Sequence, residues 1–216
     1  MADHGSVLAV IPARAGSKGL PGKNIIDFHG RPLIEWTIRA ARESGCCDTV
    51  LVSTDGQDIA DKAIEAGAFV PWLRPAHLSD DKASSISVVL HALEQFPART
   101  VILLQPTSPL RTATDISACF DLHVATGRPV VSVSPAKPWL FAKAADGRIS
   151  PALEFAAQRQ DAEFVAPNGA VYVFDADYLR SGRTWWEDAV AYTMPVERSI
   201  DIDTPHDLAV AKALFA

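Results

Sequence analysis

Cysteine is scarce in this sequence of 216 residues. The three cysteines, Cys46, Cys47 and Cys119, are odd in number, and their spacing matches neither a disulfide framework nor a metal site. Proteins of reducing compartments use cysteine in this way, so we expect a cytoplasmic location. Long apolar runs are also missing. The run near the N-terminus spans only about six residues, which is too short for a signal peptide core or a membrane span.

Positive charge is in short supply as well, because 20 lysines and arginines stand against 26 aspartates and glutamates, for a formal net charge of -6. General binding of nucleic acid needs a basic face that neutralises phosphates, so this balance argues against nucleic acid as a partner. Any phosphate site must be local. The length and the 48% share of hydrophobic residues fit one α/β domain with a buried core.

The chain alternates short apolar runs with amphipathic stretches, a pattern that predicts strands and helices in turn. We predict strands at 6–11, 49–54, 100–105, 129–134, 169–175 and 189–196, with a short one at 68–70. We predict helices at 33–45, 57–66, 83–95 and 113–125, and a last helix with Thr204 as its N-cap and Pro205 as its first residue. Such alternation implies a mostly parallel sheet with helices on both faces and ligands at the carboxyl ends of its strands.

The alternation breaks between about 136 and 166. This stretch has scattered polar residues, Pro138, Gly147 and Pro151, and no clear amphipathic period. We interpret it as an inserted hairpin or arm.

The loop after the first strand, PARAGSKGLPGKN, has the chemistry of a triphosphate site. Its cations offset anionic oxygens, and its glycines let backbone amides approach them closely. It matches neither the P-loop pattern nor the dinucleotide fingerprint, which argues against a kinase or a dehydrogenase. The alternative is a solvated basic turn. The candidate residues are Arg14, Ser17, Lys18, Lys23 and Asn24.

An acidic pair lies near the C-terminus in the segment SIDIDT. Asp201 and Asp203 are two residues apart, so on extended backbone both carboxylates point to one side while Ile200 and Ile202 point into the core. Two neighbouring carboxylates repel each other unless a cation lies between them, and hard oxygen ligands suit Mg²⁺. The alternative is one helix cap and one surface charge.

The string IPARAGSKGLPGKN resembles the signature of the CMP-sialic acid synthetases, or acylneuraminate cytidylyltransferases. Segments 73–94, 103–111 and 167–174 resemble further blocks of that family in the same order, and ERSIDIDTPHDL resembles its metal motif. The resemblance implies a Rossmann-like three-layer α/β/α nucleotidyltransferase fold with a mostly parallel sheet. It covers 1–216 as a single cytidylyltransferase domain, with a dimerisation or substrate arm at about 136–166.

The family holds the CTP phosphates in this loop, so the resemblance assigns several residues to the nucleotide. The residues that contact or border CTP would be Arg14, Ser17, Lys18, Lys23, Asn24, Arg74 and Ser85. Asp80 and Asp81 would shape the turn before the helix, although Ser79 or Asp80 alone fits a simple helix cap.

The resemblance places Gln105 at the sugar site, where a side-chain amide can both donate to and accept from a hydroxyl. Tyr172 would face the sugar acid, the alternative being core packing with a satisfied hydroxyl. Arg111 fits either the site or a structural ion pair.

The arm resembles the family least. Family members use it for dimer contacts and for cations that meet the partner's sugar carboxylate, so a homodimer is expected. Candidate cations are Lys137, Lys143 and Arg159. Trp185 and Trp186 lie where the family places aromatic residues around the sugar's acyl group, and they fit core packing or dimer contacts equally.

The sequence therefore predicts a Mg²⁺-dependent transfer of CMP from CTP to a sialic-acid-like nine-carbon 2-keto sugar acid. Asp201 and Asp203 would hold the metal against the triphosphate, and Lys23, Arg14 and Asp203 would carry the catalysis. The alternatives are a CMP-KDO synthetase and a non-catalytic nucleotide-binding protein with the same fold.

Overall fold

The computed structural model describes residues 6–17, 19–136, 141–151 and 163–215. The strands are β1 (Val7–Pro12), β2 (Asp27–Phe28), β3 (Arg31–Pro32), β4 (Thr49–Ser53), β5 (Thr100–Leu103), β6 (Val130–Pro135), β7 (Phe141–Lys143), β8 (Ile149–Pro151), β9 (Val165–Asp175) and β10 (Val190–Thr193). The α-helices are α1 (Leu33–Glu43), α2 (Gln57–Glu65), α3 (Ser85–Gln95), α4 (Ala113–Thr126), α5 (Ala176–Arg180) and α6 (Pro205–Leu214).

The main sheet has the order β10-β6-β9-β5-β1-β4. Strand β1 pairs in parallel with β4 and β5, and β10 pairs in parallel with β6. Strand β9 runs antiparallel to both of its neighbours, β5 and β6. The prediction of a mostly parallel sheet is therefore confirmed, with one reversed strand in its middle.

The strand predicted at 68–70 does not form. Phe69 and Leu73 make only isolated parallel bridges to Leu51 and Thr54 at the outer edge of β4. Pro71 lies between them and has no N–H to donate to a ladder, which explains why the pairing does not continue.

Two apolar clusters lie on opposite faces of the sheet and make it the middle of three layers. On one face Ile38 of α1, Ile59 of α2 and Ile116 of α4 are buried against the strands. On the other face Leu93 of α3 and Leu179 of α5 are buried. These contacts give the predicted α/β/α arrangement.

A third cluster joins the two ends of the sequence. Leu20 of the loop after β1 and Phe28 of β2 pack with Ile202 and with Ala211 of α6. Trp36 donates its indole N–H to the Phe28 carbonyl at 2.8 Å. The C-terminal segment is thereby held against the N-terminal loop.

The described part of the arm is a hairpin, as predicted, because β7 and β8 pair antiparallel. Lys143 ends β7. Lys137, Arg159 and Lys18 lie outside the described residues. The role of the arm in dimerisation stays a prediction.

None of the helices in the described part of the chain has the length and apolarity that crossing a membrane requires.

Candidate active site

A cleft of about 320 Å³ opens at the carboxyl ends of β1 and β5. These strands are direct neighbours, with Val10 opposite Leu103, so the loops that follow them emerge side by side. Leu104 continues the ladder by donating its N–H to the Val10 carbonyl at 3.0 Å. The predicted site residues that line the cleft are Arg14, Ser17, Lys23, Asn24, Arg74, Ser85, Gln105 and Asp203.

Lys23 and Asp203 meet across this cleft. The Lys23 Nζ lies 2.8 Å from Asp203 Oδ1, and 13% of the Lys23 side chain is exposed against 71% of the Asp203 side chain. The loop that carries Lys23 is turned by Gly22, whose φ of 66° is a left-handed conformation that glycine adopts without strain. The basic loop and the acidic segment therefore form one site.

Gly19 marks the closest approach of the two segments. A Cβ placed on this glycine would lie 2.5 Å from the backbone carbonyl oxygen of Asp203. Only a residue without a side chain allows the loop to pack this closely on the C-terminal segment.

The first turn of α6 fixes the backbone at Asp203. Thr204 and Asp207 form a capping box, and Pro205 stands at the start of the helix, as predicted. Asp207 Oδ2 also accepts the Asp203 N–H at 3.1 Å. Asp203 is therefore held by the helix cap that follows it.

The acidic segment is irregular rather than a strand, but its side chains alternate as predicted. Ile202 is fully buried while Asp201 and Asp203 are exposed. One backbone bond, from the Ile202 N–H to the Thr107 carbonyl at 2.8 Å, fixes the register against the turn that follows β5.

Asp201 does not line the cleft but stands beside it. Partial desolvation raises the pKa of this carboxyl, and the charge of Asp203 adds to the rise. A hydrogen bond from the Thr107 side chain and the charge of Lys23 act in the opposite direction. The surroundings of Asp201 therefore disfavour its anionic form, and a nearby cation would favour that form.

The two carboxylates, Asp201 and Asp203, fit Mg²⁺ only if water and phosphate oxygens complete its coordination. Among the described residues, no three of His, Cys, Asp and Glu group together as a metal site. Mg²⁺ is commonly bound by one or two carboxylates together with water and substrate phosphate oxygens. Asp201 and Asp203 provide two carboxylates of that kind.

Arg14 contacts the opposite wall of the cleft. Its guanidinium lies 2.9 Å from Asp81 Oδ1, and both side chains are partly exposed, at 36% and 48%. Asp80 shapes the turn as predicted, because its Oδ1 accepts the backbone N–H groups of Lys82 and Ala83, each at 2.8 Å.

The cap of α3 is Ser84, so the alternative that Ser79 or Asp80 caps this helix is wrong. The Ser84 side chain accepts the N–H of Ser87 at 3.0 Å. Ser85, the first residue of α3, lines the cleft, which places the positive end of the helix at the same site.

Asn24 braces the loop from inside. It is 4% exposed, and its Nδ2 donates to the Arg14 carbonyl at 2.9 Å. Its Oδ1 is buried with no hydrogen-bond partner in the described part of the structure. Asn24 thus supports Arg14 and borders the cleft at once.

Arg74 is a buried cation with unused donors. Its side chain is 3% exposed, and its nearest acidic group, Asp55, lies 3.8 Å away. Its Nε and Nη2 have no hydrogen-bond partner among the described residues. Desolvation lowers the pKa of the guanidinium; Asp55 opposes this and Arg14 adds to it. Buried donors that line a cleft favour an acceptor on a ligand.

Arg111 has a structural position outside the cleft lining. Its Nε donates to the Ala170 carbonyl at 2.9 Å, and its Nη2 donates to the Gln105 carbonyl. Burial lowers the pKa of Arg111 to about 9, and Asp115 opposes this. The side chain holds the backbone next to Gln105 rather than forming the ion pair that the sequence allowed.

A sequence profile of the family described as "Cytidylyltransferase" matches residues 8–143. This chain belongs to the cytidylyltransferase family. Three relatives cover nearly all of it. It is 39% identical to the CMP-N,N'-diacetyllegionaminic acid synthase of Legionella pneumophila, over 97% of this chain and 96% of the relative. It is 32% identical to the pseudaminic acid cytidylyltransferase of Campylobacter jejuni, over 96% and 95%. It is 35% identical to the N-acylneuraminate cytidylyltransferase of Escherichia coli, over 95% of this chain and 51% of the relative.

The fold of this cytidylyltransferase has a close structural counterpart. A CMP:2-keto-3-deoxy-manno-octonic acid synthetase complexed with CTP superposes with a TM-score of 0.77, over 97% of this chain and 98% of the other, at 18% sequence identity. A similarity at that identity establishes the fold alone.

Tyr172 of the cytidylyltransferase has its ring in the core. The ring packs edge-on to Trp185 at 5.4 Å between centroids and parallel to Phe174 at 6.4 Å. Desolvation raises the pKa of its hydroxyl, which lies near the Gly169 backbone and the charge of Asp201. The ring therefore follows the core alternative, while the hydroxyl lies near enough to Asp201 for the charge of that carboxylate to act on it.

The two adjacent tryptophans follow different predicted alternatives. Trp185 packs against the core, whereas Trp186 is 59% exposed and contacts Trp185 edge-on. Of this pair, Trp186 is the aromatic surface that stays available to a ligand or a partner.

The structural role of Asn168 in the cytidylyltransferase was not predicted from the sequence. Its Oδ1 accepts from Ser132 Oγ at 2.6 Å and from the Ala170 N–H at 3.1 Å, and its Nδ2 donates to Ser199 Oγ at 3.0 Å. Asn168 thus ties β6 and β9 to the start of the acidic segment. A polar Asn-Gly pair inside an apolar strand was the available signal.

A second residue that supports the acidic segment, Asp115, was also not predicted from the sequence. Asp115, only 1% exposed, accepts from Arg198 Nη2 at 2.8 Å and from the Tyr192 hydroxyl at 3.2 Å. Arg198 precedes Asp201 by three residues. The start of α4 and the acidic segment are therefore linked by a charge-assisted bond.

Proposed function

We propose that this protein transfers CMP from CTP to the anomeric hydroxyl of a sialic-acid-like nine-carbon 2-keto sugar acid and releases pyrophosphate, with Mg²⁺ as cofactor. The observation that supports this most directly is the contact of Lys23 with Asp203 in one cleft. It joins a cation suited to phosphate oxygens and a carboxylate suited to a divalent ion.

The sugar class rests on the relatives. Enzymes named for legionaminic, pseudaminic and N-acylneuraminic acid are 32–39% identical over nearly the whole chain. All three sugar acids have a nine-carbon 2-keto skeleton. A relative named for KDO enters only through a structure at 18% identity, which makes the KDO alternative weaker.

The proposed reaction forms a bond between the anomeric oxygen and the α-phosphorus and breaks the bond from that phosphorus to the β-phosphate bridging oxygen. The proton of the anomeric hydroxyl passes to solvent. Arg14 and Lys23 stabilise the negative charge that collects on the departing pyrophosphate. Both cations contact carboxylates, Asp81 and Asp203, which the triphosphate oxygens would displace or share. Gln105 lines the cleft and offers an amide to the sugar hydroxyls.

Arg74 and the N-terminus of α3 form the rest of the nucleotide site. The unused donors of Arg74 suit acceptor atoms of CTP, and Ser85 presents the positive end of its helix to the same ligand. Asp201 and Asp203 would hold Mg²⁺, which supplies charge neutralisation to the triphosphate when bound.

A homodimer in the cytoplasm completes the proposal. The arm around β7 and β8 would supply the dimer contacts, and the free state of Cys46, Cys47 and Cys119 is compatible with a reducing compartment.

The test is pyrophosphate release from CTP with a panel of sugar acids, measured with Mg²⁺ and with a chelator. We expect release with nine-carbon acids and Mg²⁺, little with KDO, and none after chelation. Release with KDO alone would favour the eight-carbon substrate. CTP binding by calorimetry without pyrophosphate release across the panel would favour a non-catalytic nucleotide-binding protein.

A further inference from the structure

Two adjacent cysteines form a thiol pair away from the cleft. Cys46 and Cys47 lie between α1 and β4, with their sulfurs 3.9 Å apart, and the Ser44 hydroxyl lies 3.2 Å from Cys46 Sγ. Both residues are half-buried, so each sulfur packs partly on the core while part of each residue stays accessible.

The pair lies at the amino ends of the strands, and the cleft lies at their carboxyl ends. Thr49 begins β4 and pairs with Leu8 near the start of β1, and the cleft lies beyond the other end of these parallel strands. Asp48 fixes the turn by accepting the Val7 N–H at 2.8 Å. Chemistry at the cysteines is therefore separate from the proposed transfer of CMP.

The two thiols differ in how readily each loses its proton. A hydrogen bond from Cys47 lowers the pKa of Cys46, and the same bond together with burial raises the pKa of Cys47. Because the thiolate is the nucleophile in cysteine chemistry, this arrangement makes Cys46 the attacking sulfur and leaves Cys47 as a neutral neighbour.

A direct disulfide does not suit this pair. Adjacent Cα atoms are about 3.8 Å apart across a trans peptide, whereas disulfides usually join Cα atoms about 4.4–6.8 Å apart. A single atom inserted between the sulfurs lets them stay further apart than an S–S bond of about 2.05 Å allows. The geometry thus suits a one-atom bridge by a soft element that prefers thiolates.

We propose that Cys46 and Cys47 form a dithiol site for trivalent arsenicals. In the first step the Cys46 sulfur forms a bond to arsenic, and an arsenic-bound hydroxyl takes up from solvent the proton that the Cys46 thiol released and leaves as water. In the second step Cys47 sulfur forms the other bond, and its proton leaves with the second hydroxyl as another water. Arsenic stays trivalent and both sulfurs keep their oxidation state, so no oxidant is needed.

The probe is phenylarsine oxide, added in one equivalent to the reduced protein. Intact mass and peptide mapping should find one phenylarsenic group that bridges Cys46 and Cys47, with two thiols lost to a thiol reagent. Cys119 is fully buried, and its thiol should react only after unfolding. An adduct on Cys119 in the folded protein, or no adduct at all, would overturn the proposal.

Resistance to a competing monothiol separates a bridge from a single bond. We expect the wild-type adduct to survive excess monothiol about 100-fold better than the adducts of Cys46→Ser and Cys47→Ser, the low end of the gain from linking two binding events. A dithiol should remove all of them. Cys119→Ala, the matched control, should behave as wild type, and equal loss from wild type and the serine variants would disprove the bridge.

Discussion

Lys23 Nζ and Asp203 Oδ1 are 2.8 Å apart although 180 positions separate the two residues in the chain. The contact joins the loop after the first strand to the segment before the last helix. Everything proposed for the site depends on this junction, because neither the cations nor the carboxylates alone can hold a metal-bound triphosphate.

Replacement of Asp203 by Asn tests the carboxylate. We expect turnover to fall by at least about 100-fold, the size of effect seen when a group that stabilises transition-state charge is removed. Stability should change little, within about 1 kcal/mol, because the Asp203 side chain is mostly exposed and the amide oxygen of Asn can still accept a hydrogen bond from the mostly buried Lys23. Pyrophosphate release and denaturant unfolding measure the two quantities.

The matched control for Asp203 is Asp177→Asn. Asp177 also pairs with a cation, Arg180 at 3.0 Å, and its side chain is 95% exposed on α5. Near-normal turnover of Asp203→Asn, or an equal loss in Asp177→Asn, would contradict the assignment.

Gly19→Ala tests the close packing of the loop on the acidic segment. Since the new Cβ would lie 2.5 Å from the Asp203 carbonyl oxygen, the backbone must shift. We expect the free energy of unfolding to drop by about 1–3 kcal/mol, as for other overpacked sites. Gly16→Ala is the control, since a Cβ there meets nothing within 4 Å. Equal stability of the two variants would show that the contact is not tight.

Replacement by Met should affect CTP binding at one buried arginine and stability at the other. Arg74 has unused donors beside the cleft, so Arg74→Met should weaken CTP binding by about 10-fold or more, near 1.4 kcal/mol, with little loss of stability. Arg111 donates to the carbonyls of Ala170 and Gln105, so Arg111→Met should destabilise the fold by about 1–3 kcal/mol.

Calorimetry with CTP and urea unfolding distinguish these two effects. A stable Arg111→Met variant would contradict the structural role of Arg111, and an Arg74→Met variant that unfolds more easily yet binds CTP normally would contradict the ligand-binding role of Arg74.

Asp201 predicts a pH dependence of stability. Its pKa in the folded protein is raised above the ordinary 3.8, so the native state binds a proton more readily than the unfolded chain. The contribution of this carboxyl to stability therefore falls as pH rises from about 4 through the raised pKa. Asp201→Asn should remove that fall, and its stability relative to wild type should grow over the same interval. If the stability curves of wild type and Asp201→Asn run parallel between about pH 3.5 and 7, Asp201 does not cause this pH dependence.

The sequence predicts much of the fold because apolar runs have the periods of buried strands and helices. The helix start at Thr204 and Pro205 and the alternation around Ile202 follow from local chemistry and are found as expected. The reversed direction of β9 is set by long-range pairing, which no local pattern carries.

The site was predictable where charge and spacing mark it. Lys23 and Asp203 both belong to such patterns, and the structure brings them together. The residues that support the acidic segment from behind could not be predicted from the sequence. Asn168 and Asp115 act through partners that lie far away in the chain, at Ser199 and Arg198. Because a single polar residue has the same appearance on a surface and in a buried network, only the packed structure reveals which it is.

The most direct test of the central claim follows the α-phosphorus. CTP labelled at that atom is incubated with the protein, Mg²⁺ and a nine-carbon 2-keto sugar acid, and the products are separated. The account predicts that the label appears in a CMP-sugar while the released pyrophosphate is unlabelled. Label that stays in CTP, or that appears only as free CMP whichever sugar acid is present, would contradict it.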